Sequence, residues 1–73
     1  MPPRLGSYKP REFIRKIRKA GFSPDHQTGS HAILINDRAV RLVVPIHAKE
    51  MKRGLLMDLL KQAGLKPEEF ARL

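Results

Sequence analysis

The chain has 73 residues and no cysteine, so it has room for one small domain, spanning 1–73, held by apolar packing without disulfides or thiolate metal sites. Fifteen Lys and Arg against seven Asp and Glu give a net charge of +8 and a pI near 10.7, a balance that points to a polyanionic partner more than to a merely solvated surface. No apolar run approaches the roughly 18 residues that cross a bilayer, Met1–Leu5 offers no signal-like stretch, and the cations are not gathered on one amphipathic helix; a soluble cytoplasmic protein without a membrane partner is the expectation.

Residues 1–8, with two prolines, a glycine and a serine, read as an irregular arm. Pro10 then suits the first position of a helix over about 10–20, where Phe13, Ile14, Ile17 and Ala20 recur at helical spacing opposite Arg11, Arg15, Lys16, Arg18 and Lys19. Gly21 fits a left-handed cap, with Phe22 folding back as its apolar contact. Ser23–Thr28 is polar and contains Pro24, so as a strand it belongs at a sheet edge. Gly29-Ser30 makes a turn, and Ser30–Ile35 with Ala39–Pro45 reads as a hairpin joined by Asn36-Asp37-Arg38. A second helix is expected from about 52 to 63, with Leu55, Leu56, Leu59, Leu60 and Ala63 as its apolar stripe and Gly64 as its cap. Pro67-Glu68-Glu69 opens one more helical turn that Phe70 and Leu73 dock. The order predicts an α+β two-layer domain with helices on one side of an antiparallel sheet.

The hairpin register follows from the loop between its strands. An even-numbered loop places His31, Ile33 and Ile35 on one face with Val40, Leu42 and Val44, and Ser30, Ala32 and Leu34 on the other with Arg41 and Val43; an odd loop or a bulge reverses this.

Few groups could carry chemistry. The histidines are His26, His31 and His47, with no i, i+4 pair on a helix and Asp25 as the one adjacent carboxylate, so no metal site and no cofactor are expected. A nucleophilic triad is equally thin: Ser30 precedes His31, but neighbouring strand residues point to opposite faces, and nothing in the spacing requires Asp58 or Glu50 to orient a histidine. RNA cleavage needs less. The ribose 2′-hydroxyl is the nucleophile, a histidine moves protons, and Lys and Arg stabilise phosphate charge. One histidine in a basic surface is chemically sufficient, although a lone strand histidine is more often structural.

Several landmarks together carry a resemblance: Ala20-Gly21-Phe22, Gly29-Ser30-His31-Ala32, Val44-Pro45-Ile46-His47, Lys52-Arg53-Gly54-Leu55-Leu56 and Leu60-Lys61-Gln62-Ala63-Gly64-Leu65. In this order and spacing, over residues 9 to 70, the chain resembles the HicA (YcfA-like) mRNA interferase toxins. The resemblance implies a double-stranded-RNA-binding-domain-like fold, α-β-β-β-α with a short C-terminal helical turn, and makes Ser23–Thr28 the first strand. It implies a metal-independent endoribonuclease toxin of a type II toxin–antitoxin pair, acting on mRNA through a single catalytic histidine, which falls on His31, and inhibited by a HicB-type antitoxin that covers the active surface. Gly29 and Ser30 fit as the turn that sets this histidine at the strand edge. His47 also matches a family position, with a role in RNA contact, in shaping the loop or in the core. His26 matches none and reads as solvated.

The sequence therefore places catalysis on His31 and RNA binding on Ser30, Arg38, Arg41, His47, Lys49, Lys52 and Arg53. A non-catalytic RNA-binding module of the same fold is the alternative, and an adaptor for an acidic protein is a third reading.

Overall fold

The computed structural model describes residues 7–73, in the order α1 (Pro10–Arg18), β1 (Ser23–Gln27), β2 (His31–Ile35), β3 (Arg41–Pro45), α2 (Arg53–Ala63) and α3 (Pro67–Ala71). The arm expected over 1–8 lies outside the described residues except for its last two. Of these, Tyr8 bridges to Met51, whose N–H donates to the Tyr8 carbonyl at 2.8 Å.

Helix α1 starts at Pro10, where a missing N–H costs nothing, and the Lys9 N–H donates to the Glu12 carboxylate at 3.2 Å. Phe13 and Ile17 are its buried ridge. The chain leaves α1 through Gly21 at φ +97°, with the Phe22 N–H donating to the Ile17 carbonyl and the Gly21 N–H to that of Arg18. That pair of bonds closes a helix through a left-handed glycine and returns the next apolar residue to the core. Helix α2 ends the same way: Gly64 lies at φ +74°, and Leu65 donates to Leu60 and Gly64 to Lys61.

The strands form one antiparallel sheet in the order β1-β2-β3. As expected from Pro24, β1 is an edge strand, and all five of its residues are exposed. The β2–β3 register pairs Ala32 with Val44 and Leu34 with Leu42, while His31, Ile33 and Ile35 oppose Pro45, Val43 and Arg41. This corrects the register expected for an even-numbered loop. Asn36 still pairs with Val40, its N–H donating to the Val40 carbonyl at 3.2 Å, so the loop proper is Asp37-Arg38-Ala39, an odd count with Ala39 in the left-handed region at φ +61°. The inner face is thus Ala32, Leu34, Leu42 and Val44, and His31 stands on the outer one.

The inner face packs against Phe13 and Ile17 of α1, Leu56, Leu59 and Leu60 of α2, and Phe22, Met51 and Phe70. Nothing polar is buried in this core among the described residues. Helices on one face of a three-stranded antiparallel sheet, in the order α-β-β-β-α with a short C-terminal helix, make an α+β fold of the double-stranded-RNA-binding-domain type.

Candidate active site

The Thr28–His31 turn joins β1 to β2 at one end of the sheet and is anchored by several backbone hydrogen bonds. The Thr28 N–H donates to the His31 carbonyl at 2.9 Å, and the Thr28 hydroxyl accepts the His31 N–H at 3.2 Å. The Ser30 carbonyl accepts the Ile46 N–H at 3.0 Å, extending the β2–β3 ladder past its last strand pair. The Gly29 carbonyl meets Nε2 of His47 at 2.6 Å. A carbonyl only accepts, so His47 is the donor and its proton sits on Nε2.

At the end of this turn the Ser30 Oγ lies 2.8 Å from Nδ1 of His31. The expectation that these two side chains diverge is therefore corrected. Alternation applies within a strand, and β2 begins only at His31; Ser30 belongs to the turn, where the backbone bends its hydroxyl toward the next ring. A serine hydroxyl donates as well as accepts, so it bonds Nδ1 whether or not that nitrogen carries a proton. With Nδ1 occupied, Nε2 is the unengaged edge of an exposed residue, with no hydrogen-bond partner among the described residues.

The remaining expected site residues divide in two. Ser30 and His47 gather around His31. Lys49, Lys52 and Arg53 follow His47 along the link into α2, all exposed. Lys49 borders a groove with Lys9, Arg11, Glu12 and Ile46, which adds two cations: Arg11, assigned by pattern only to a helix face, and Lys9, to which the pattern gave no role. Arg38 and Arg41 lie elsewhere: Arg41 opposes Ile35, four rungs from the His31–Pro45 pair and thus roughly 13 Å along the strand. Arg38 is beyond it, at the hairpin tip.

Helix α2 presents its N-terminus beside the link. Its cap residue Lys52 makes no side-chain capping bond, Arg53 is its first residue, and no acid occupies its first turn. Cations there work against the helix dipole, so helix stability does not explain them. Free N–H groups flanked by two cations do suit an anionic oxygen. A further basic ridge, Arg11, Arg15 and Arg18 around Ile14, faces away from the core on α1.

Sequence reading passed over Thr28 and the Asp25–His26 pair. Asp25 Oδ2 lies 2.8 Å from Nδ1 of His26, both half exposed. This contact coincides with a register shift in β1 between Pro24 and His26, of which dipeptide spacing carries no sign. Among the described residues no three His, Asp or Glu side chains converge as a metal would require, and no helix is long and apolar enough to cross a membrane.

A family model described as the HicA toxin of bacterial toxin–antitoxin systems matches residues 10–65, from the first residue of α1 to the residue after the α2 cap. No curated protein matches the chain at a comparable level.

Proposed function

Since the chain belongs to the HicA toxin family, we propose that it is the toxin of a type II toxin–antitoxin pair, an endoribonuclease that cleaves mRNA without a metal, with His31 as its proton-transfer residue. The observation that carries this reading is the way His31 is presented. Its Nδ1 is held by Ser30, its backbone by Thr28, and its Nε2 edge is open on the exposed face of the sheet. In the reaction this geometry fits, Nε2 takes the proton of a ribose 2′-hydroxyl. The 2′-oxygen bonds to the adjacent phosphorus and the bond from phosphorus to the 5′-oxygen breaks. A 2′,3′-cyclic phosphate and a 5′-hydroxyl end remain, and a proton must reach that 5′-oxygen.

Lys49, Lys52, Arg53 and the α2 N-terminus, exposed along the link that follows His47, would hold the backbone phosphates, with Arg41 and Arg38 contributing further along the strand. A HicB-type antitoxin fits as an acidic partner that covers His31 and neutralises these cations. Opposite charges of this magnitude favour fast capture.

The decisive experiment is cleavage of a fluorophore-labelled RNA by the purified chain in excess EDTA, compared with His31→Ala. Loss of a positioned proton-transfer group lowers the rate by about 10² to 10⁴, with RNA binding and the circular dichroism spectrum retained. Undiminished cleavage by a folded His31→Ala protein leaves the non-catalytic RNA-binding module as the better account. A second measurement reads the phosphate contacts. Each contributes about 0.7 to the slope of log affinity against log salt for single strands, so Lys52→Ala with Arg53→Ala flattens that slope by about 1.4. An unchanged slope in the double variant removes these two residues from the interface.

A further inference from the structure

The cleavage proposed above needs two proton transfers, one from the 2′-hydroxyl and one onto the departing 5′-oxygen, and His31 as described accounts for the first. We propose that His26, backed by Asp25, is the second catalytic residue of the same site and protonates the leaving 5′-oxygen; this rests on the ribonuclease reading.

The placement comes from an irregularity in β1. Pro24 pairs with Leu34 and His26 with Ile33, so Asp25 is an extra residue with no partner on β2. In a regular strand Asp25 and His26 would point to opposite faces. The bulge removes that constraint, and the Asp25 carboxylate reaches Nδ1 of His26 at 2.8 Å. Such irregularities re-aim side chains and are common beside active sites. An exposed pair of this kind contributes little stability, so stability alone does not account for it.

His26 also stands on the right face. It opposes Ile33, two residues along β2 from His31, and the Thr28 pairing with His31 continues the same ladder. His26 and His31 are therefore diagonal neighbours on the outer face, a relation with a separation of about 7–8 Å. An in-line phosphodiester gripped at both its 2′- and 5′-oxygens spans about 9 Å from one ring nitrogen to the other, counting two hydrogen bonds of ~2.7 Å. The two rings are alike in presentation: each belongs to an exposed residue, has Nδ1 committed to its sequence neighbour, Asp25 or Ser30, and has no hydrogen-bond partner at Nε2 among the described residues.

The step balances. The 2′-hydroxyl proton passes to Nε2 of His31 as the oxygen–phosphorus bond forms. The bond to the 5′-oxygen breaks, and that oxygen takes the Nε2 proton of the His26 imidazolium, whose Nδ1–H remains on Asp25. Afterwards His31 carries a proton and His26 lacks one, and exchange with water restores both.

The test compares an ordinary RNA substrate with one whose scissile 5′-oxygen is replaced by sulfur, since a thiolate leaves without being protonated. For the full chain, His26→Gln should cleave the oxygen substrate about 10² to 10⁴ more slowly and the sulfur substrate at the unmodified rate. Asp25→Asn should show the same selectivity with a smaller loss, and His31→Ala should be slow on both. A His26→Gln protein equally slow on both substrates, or unimpaired on both, overturns the role of His26 while leaving the ribonuclease reading intact. If the unmodified chain cleaves neither substrate, both readings fall together.

Discussion

The two hairpin turns of the sheet are built on opposite plans. Asn36–Val40 is self-contained. The Asn36 side-chain oxygen accepts from the Arg38 N–H at 3.0 Å and the Val40 N–H at 2.8 Å, and the Ala39 N–H closes back on the Asn36 carbonyl. The turn before His31 has local bonds through Thr28 and distant help besides, since His47 reaches its Gly29 carbonyl from 18 residues away and Ile46, just past β3, holds Ser30. One turn sets the register of a hairpin. The other fixes the aim of a single ring, and there anchors from outside the hairpin are added to the turn's own Thr28–His31 bonds.

That contrast can be broken by substitution. The largest effect is expected at His47. His47→Ala removes the outside anchor, and misplacement of His31 by about 1 Å lowers kcat by up to about 10²-fold. His47→Gln keeps an N–H at the same reach and should restore most of the rate. A rise in KM with kcat intact in His47→Ala would make His47 an RNA contact instead of an anchor. Asn36→Ala comes next and should act on stability only. Two lost hydrogen bonds are worth about 1–2 kcal/mol, and each kcal/mol lowers Tm by about 4–8 °C in a domain of this size. Per-molecule cleavage should be unchanged at temperatures where the variant is folded, and a fall in kcat would show that the two turns are not independent. Ala39→Gly is the smallest change. Left-handed backbone costs alanine roughly 1 kcal/mol, and the greater freedom of glycine in the unfolded chain offsets about half of this, so Tm should rise by a few degrees. A lower Tm would mean that the Ala39 methyl makes a contact that outweighs the strain.

The same contrast explains what the sequence could disclose. Helices α1 and α2 were legible because each ends in the same three-part signal, an alanine, a glycine and an apolar residue, whose bonds are local. Pro24 gave away the edge strand. The parity of the loop was legible, since Asn36-Asp37-Arg38 is already an odd count and puts Ala32 and Leu34 on one face with Leu42 and Val44. Where the loop sits was not, because a turn over Asp37-Arg38-Ala39 depends on Ala39 adopting a conformation alanine seldom takes. In the site, His31 and the turn before it could be found from Gly-Ser-His. Its anchors could not: the His47–Gly29 bond is long-range, and the Ser30–His31 contact breaks the alternation rule because the strand starts one residue later than the pattern suggests. Arg38 and Arg41 are close to His31 in sequence and far from it along the strand, so proximity in the chain overstated their nearness.

Lys16 has a consequence for where the folding unit stops. Its ammonium lies 5.0 Å from the centres of both the Tyr8 and the Phe70 rings and donates to the Ala71 carbonyl at 3.1 Å. Phe70 in turn stacks on Phe13 at 5.3 Å and is fully buried. These partners lie on either side of the 10–65 span that the family model matches. A fragment trimmed to that signature would keep every residue assigned to chemistry and lose the ring that seals the core beneath α1. Deleting one buried phenylalanine side chain costs about 3–5 kcal/mol, against a total of about 5–15 kcal/mol for a typical domain. The stretch that matches the family model is thus shorter than the stretch whose packing holds it together. An expression fragment should run from Tyr8 or earlier through Leu73.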